Sequence, residues 1–75
     1  MADMNLDLNG LLCPIPVVKL AKAIKGVEIG QTIEAVATDP GVLADIPAWC
    51  RSTGNELVSM DRENKTIKFL VRKTN

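Results

Sequence analysis

Residues 4–24 read Met4-Asn5-Leu6-Asp7-Leu8-Asn9-Gly10-Leu11-Leu12-Cys13-Pro14-Ile15-Pro16-Val17-Val18-Lys19-Leu20-Ala21-Lys22-Ala23-Ile24, and the spacing of the apolar residues changes partway through. Met4, Leu6 and Leu8 alternate with Asn5, Asp7 and Asn9, the period-two pattern of a short half-buried strand. Gly10 breaks that pattern. From Val17 the spacing becomes helical: Val17, Leu20, Ala21 and Ile24 share one face, and Lys19, Lys22 and Lys25 lie together on another. Gly26 is placed to end this helix in a left-handed conformation, with Lys25 in the last turn facing the negative end of the dipole.

Working outward, Thr32–Thr38 (TIEAVAT) alternates again, with Ile33, Ala35 and Ala37 on one face. The first β-α-β unit is therefore expected to be parallel and right-handed. Asp39-Pro40 has the form of an N-cap followed by a first-turn proline. Pro47 argues against one helix running on from there, since an interior proline costs about 3 kcal/mol. The spacing predicts a turn over 40–44 and a helix capped afresh by Asp45. Ile46, Trp49, Cys50 and Thr53 then follow at helical spacing, and Gly54 ends the helix. Glu56–Asp61 and Thr66–Arg72 read as a hairpin around the polar turn Arg62–Lys65. The order β-α-β-α-β-β predicts an α/β chain of the α+β two-layer kind. Its four-stranded mixed sheet carries two helices on one face, in a single domain spanning 1–75.

With 75 residues there is no room for a second core, and 47% hydrophobic residues leave no case for wholesale disorder. Nine basic residues balance nine acidic ones, which argues against unaided binding to nucleic acid or anionic membrane. One Phe and one Trp offer little for base stacking. The absence of His excludes a His-assisted triad and His-ligated zinc. Two cysteines are too few for a four-thiolate metal site or a secreted disulfide scaffold. No metal or cofactor is expected. The polar Met1–Asn9 stretch does not resemble a signal peptide, and no apolar run approaches the ~20 residues of a membrane span. The composition points to a soluble, cytoplasmic monomer.

Cys13 stands where a strand and a glycine-containing loop meet a helix start. With Cys13 as N-cap, Pro14 and Pro16 occupy first-turn positions whose N–H groups have no intrahelical partner. Because Ile15 precedes a proline, the helix start lies there or a residue or two later. Such a position lowers a thiol pKa and presents the sulfur rigidly, though the prolines remove two donors that would face it. The alternative is a buried, inert cysteine, as free cysteines often are. The Pro-flanked helix start favours the reactive reading. Cys50, inside a helix beside Trp49, is expected to pack, its functional alternative being a resolving thiol for Cys13. Trp49 is expected in the core, the alternative being an exposed anchor for a partner. The Lys19, Lys22 and Lys25 row is either a solvated face or a positive dock beside Cys13 for an acidic partner. Arg72 and Lys73 carry the same two readings. Asp39 and Asp45 read as helix caps.

Gly10-Leu11-Leu12-Cys13-Pro14-Ile15-Pro16 resembles the Cys-Pro-x-Pro box of the TusA/SirA-like sulfur carrier family. The similarity continues at Ala37-Thr38-Asp39-Pro40, at Asp45-Ile46-Pro47-Ala48-Trp49-Cys50, at Thr53-Gly54 and near Phe69-Leu70-Val71-Arg72-Lys73, so it covers nearly the whole chain. The second of these segments resembles the TusA branch. The resemblance implies the same β-α-β-α-β-β sandwich. It also implies that Cys13 carries sulfane sulfur as a persulfide, supported by Gly10, Pro14, Ile15 and Pro16. A cysteine desulfurase or rhodanese-like enzyme would be the donor and a DsrE-type relay protein the acceptor. The sulfur would end in tRNA 2-thiouridine, in sulfur oxidation or in other sulfur trafficking, with no direct contact to nucleic acid. Asn55 stands where many relatives have His, which leaves any role of that position open. Two other classes remain: a thiol redox switch using Cys13 and Cys50, and an interaction module indifferent to Cys13.

Overall fold

A computed structural model describes residues 2–75; Met1, part of the expected 1–75 domain, lies outside the described residues. The elements are β1 (Met4–Leu8), α1 (Ile15–Ala23), a 3-10 turn (Ile24–Gly26), β2 (Thr32–Ala37), α2 (Val42–Thr53), β3 (Glu56–Glu63) and β4 (Thr66–Arg72). The strands form one sheet in the order β1-β2-β4-β3. The β1–β2 pair is parallel and the other two are antiparallel, so the sheet is mixed, as the element order predicts.

Period-two alternation carries Ile33, Ala35 and Ala37 of β2 and Ile67, Phe69 and Val71 of β4 to one buried face. Leu8 pairs with Ala37, which pairs with Ile67; Leu6 pairs with Ala35, which pairs with Phe69, which pairs with Met60. The small Ala35 and Ala37 at the middle of the sheet leave room for the helices above them. α1 packs on β1, α2 packs on β3 and β4, and the helices touch each other. Leu20 and Ile24 from α1 and its following turn join Val42, Ile46 and Cys50 from α2 over Ile33, Phe69 and Val71 in one buried cluster. Burying a side chain of this size contributes about 1.5–3 kcal/mol. No helix of the described residues is long and apolar enough to cross a membrane.

Four details depart from the sequence reading. Gly26 ends the 3-10 turn rather than capping α1, which stops at Ala23 with Ile24 as its C-cap, and Gly26 is not among the left-handed glycines. Second, α2 is a single helix from Val42 that runs through Pro47. Val42, Ile46 and Cys50 form its buried stripe at i, i+4, i+8, and a break before Asp45 would lift Val42 from the core. The proline penalty of about 3 kcal/mol is of the same size as that lost burial. The carbonyl left without an N–H belongs to Leu43, an exposed residue of the helix. Third, β3 extends to Glu63, and the hairpin turns on Asn64-Lys65 with Asn64 left-handed at φ 57. Fourth, a register shift between Leu57 and Ser59 leaves Val58 as an extra residue, so Leu57 and Met60 both reach the core although three positions apart.

At its far end α2 stops on Gly54, whose φ of 77 is left-handed and whose N–H returns to the Cys50 carbonyl. Asn55 fastens this corner to the C-terminus: its Nδ2 donates to Thr53 Oγ1 at 3.0 Å, and its Oδ1 accepts the Thr74 N–H at 3.1 Å.

Candidate functional site

Parallel neighbours end at the same edge of a sheet. The chain leaving β1 (Gly10–Pro14) and the chain leaving β2 (Thr38–Gly41) therefore emerge side by side, and hydrogen bonds join them. Gly10, left-handed at φ 78, donates its N–H to Thr38 Oγ1 at 2.9 Å. The Cys13 N–H donates to Asp39 Oδ2 at 2.7 Å, and the other Asp39 oxygen accepts the Gly41 N–H at 3.1 Å. Asp39 thus clamps the cysteine loop onto the entry to α2. A Cβ at Gly41 would lie 3.2 Å from Asp39 Oδ2 and 3.5 Å from Cys13 Cβ, so glycine there keeps the clamp uncrowded.

Cys13 is exposed, and its thiol donates to Asp45 Oδ2, in the first turn of α2, at 2.6 Å. The Cys13–Pro14 peptide bond is cis. α1 begins at Ile15 with Pro14 as its N-cap, so Cys13 sits one residue outside the cap rather than at it. Pro16 falls at the second helical position, where its missing N–H is harmless, and its buried ring anchors the helix start. Leu12 and Ile15, on either side of Cys13 in sequence, are 71% and 42% exposed, so the loop that carries the thiol also presents accessible apolar surface.

The electrostatics reverse the expected direction. The Cys13 pKa is raised, first by the hydrogen bond to Asp45, then by partial loss of water, then by the charges of Asp45 and Asp39. A helix N-terminus offers about half a positive charge, and two carboxylates outweigh it. Lys19 and Lys22 lie exposed further along α1; among the described residues neither forms an ion pair. The charges that act on Cys13 are both negative. Arg72 is paired with Glu56 at 2.9 Å, and Lys73 donates to the Val27 carbonyl at 3.0 Å, so both have structural partners.

Cys50 is buried, 3% exposed, and burial pushes its thiol up to about 11. Both cysteines are free thiols. Trp49 is half-buried and packs against the core. Asn55 lies at the far end of α2, about 15 Å along the axis from Asp45 at 1.5 Å per residue, and is occupied in the C-terminal corner.

Thr38, Gly41, Asp39 and Asp45 are the site residues that sequence reasoning missed, the two carboxylates having been read as helix caps. Asp39 holds the Gly41 N–H in a turn, and Asp45, in the first turn of α2, makes no capping hydrogen bond. The signal was available in the topology: a parallel β1–β2 pair requires the segments after the two strands to meet.

A sequence model of the family described as "Sulfurtransferase TusA" matches residues 4–73. The sulfur carrier protein TusA of Allochromatium vinosum is 38% identical over 72 residues, covering 96% of this chain and 95% of that one. The protein YrkF of Bacillus subtilis strain 168 is 40% identical over 72 residues; 96% of this chain is covered, but only 39% of that longer protein. The crystal structure of a SirA-like protein from Desulfitobacterium hafniense superposes with a TM-score of 0.81 at 19% identity, covering 96% of this chain and 99% of that one, and so shares the fold. With a family match over nearly its whole length and a full-length relative above 30% identity, the chain belongs to the TusA family.

Proposed function

We propose that the protein is a sulfur carrier that holds sulfane sulfur as a persulfide on Cys13. The observation that carries this reading is the contrast in access. Cys13 stands exposed on a loop fixed by Asp39, while Cys50 is sealed in the core. Family membership supports the same reading.

The chemistry requires one accessible thiol and no net redox change. The Cys13 thiolate attacks the outer sulfur of a donor persulfide; a new S–S bond forms and the donor thiolate departs with the electron pair of the old one. An acceptor thiolate then attacks the outer sulfur on Cys13, and Cys13 leaves as thiolate. A carrier therefore has a sulfur donor on one side and an acceptor on the other. A cysteine desulfurase or rhodanese-like donor and a DsrE-type acceptor fit these steps, and tRNA thiolation or sulfur oxidation would lie downstream. The exposed Leu12 and Ile15 would meet the partner around the thiol, with Lys19 and Lys22 further along α1 toward an acidic surface. The raised Cys13 pKa gives the free protein a poorer leaving group than the helix-start position alone predicts. The chain as one domain, with Gly10, Pro14, Ile15 and Pro16 framing the thiol, belongs to this reading.

The test is incubation of reduced protein with a cysteine desulfurase and isotopically labelled cysteine. Label that a reductant releases from the wild type, and that is absent from Cys13→Ser, is the expected result. Equal labelling of the two would refute the assignment, and would turn attention to Cys50.

A further inference from the structure

The Cys13 thiol does not point freely into solvent. It donates to Asp45 Oδ2 at 2.6 Å, across 32 positions of sequence, while its own backbone N–H is held by Asp39 Oδ2 at 2.7 Å. Two carboxylates therefore grip one residue, one at the backbone and one at the sulfur. They come from different elements: Asp39 from the loop after β2, Asp45 from α2. Among the described residues the charges acting on Cys13 are those of Asp45 and Asp39, and the ion pairs, Lys68 with Glu34 and Arg72 with Glu56, lie elsewhere. Losing the thiol proton would leave a sulfur anion in contact with a carboxylate oxygen. That arrangement loses its hydrogen bond and gains a like-charge repulsion in one step.

We propose that Asp45 is a positioning residue for the Cys13 thiol: its carboxylate favours the neutral, protonated thiol in the free protein and slows its reaction, and Cys13 becomes a faster nucleophile when that carboxylate is neutralised or displaced. The proposal deepens the carrier reading, on which its purpose rests, because it gives an unloaded carrier protection from indiscriminate reaction. A partner that places a cation against Asp45 would remove the restraint. The raised Cys13 pKa agrees with the geometry. Asp39 contributes charge as well, but its hydrogen bond is to the backbone, so its part in the restraint is smaller.

The experiment is the pH dependence of Cys13 alkylation by iodoacetamide, read on the Cys13 peptide by mass spectrometry. It compares wild type with Asp45→Asn, Asp45→Ala and Asp45→Glu. No sulfur donor is involved, so failure here and failure of the carrier reading are separable. In Asp45→Asn and Asp45→Ala the midpoint moves to lower pH, and Asp45→Glu, which keeps the charge, stays closer to wild type. At a fixed pH below the midpoint, alkylation quickens about three- to four-fold for a midpoint lower by about one pH unit, because greater thiolate population is partly offset by weaker nucleophilicity. A residue that mattered only for packing would change thermal stability and leave the midpoint in place. An unchanged or raised midpoint in whichever of the Asn and Ala variants folds overturns the proposal, as does a midpoint in Asp45→Glu that falls as far as in Asp45→Asn.

Discussion

Cys13 and Cys50 are the same chemical group in two media. For Cys50, buried among Val42, Ile46 and the sheet, the thiol is held protonated because an anion has no water. Cys13 has water on one side and carboxylates on the other, and its thiol is held protonated chiefly by the group it donates to. Both pKa values move in the same direction. The first effect is permanent while the protein stays folded; the second depends on one side chain at the surface. A raised pKa therefore does not separate a buried cysteine from an exposed one. Access and the cause of the rise do.

The sharpest break between the two regions is chemical. Cys13→Ser is expected to lose sulfur loading entirely, while Cys50→Ala keeps it; loading assays on the two variants check this. The reverse separation belongs to stability. Phe69→Ala, in the fully buried row of β4, is expected to cost about 3–5 kcal/mol in urea unfolding and to leave the Cys13 alkylation midpoint where it is. Gly54→Ala forces a residue with a side chain into a left-handed conformation, with its Cβ 3.3 Å from Asn75 Nδ2. The expected loss is about 1–2 kcal/mol, again with no effect at Cys13. Asp39→Ala should act in both regions at once. It frees the Cys13 and Gly41 N–H groups at a cost near that of a lost helix cap, about 0.5–2 kcal/mol, and it quickens Cys13 alkylation.

Legibility followed periodicity. Strand and helix faces were readable because alternation at Met4–Leu8, Thr32–Ala37 and Thr66–Arg72 meets no competing local signal, and the sheet repeats it. The reading failed where a local rule met a tertiary one. Pro47 argued for a helix break, and the buried stripe of Val42, Ile46 and Cys50 carried the helix through it. The place of Cys13 just before a helix start was legible from its position between Gly10 and the prolines. Its surroundings were not, because Asp39 and Asp45 satisfy every local criterion for caps. Only the parallel pairing of β1 with β2 brings them to the thiol. The direction in which the Cys13 pKa moves was lost for the same reason: a helix start is a local feature, while the two carboxylates come from 26 and 32 positions away.

The smallest expected effect is on stability at high pH. Because the folded Cys50 pKa lies above the usual thiol value near 9, the folded state retains a proton that the unfolded chain loses. Its contribution is complete below pH about 9 and is lost as pH rises through about 11. Urea unfolding of wild type and Cys50→Ala at pH 8 and pH 10.5 measures it as the difference between the two pH dependences. The wild type should lose more stability than the variant over that interval.

The central claim is that sulfur resides on Cys13 and not on its buried counterpart, and both can be read in one molecule. Reduced wild-type protein is exposed to a polysulfide donor, alkylated, digested without reductant and mapped by mass spectrometry. The account predicts one added sulfur atom on the Cys13 peptide and none on the Cys50 peptide. Sulfur on Cys50, or on neither peptide, would contradict it.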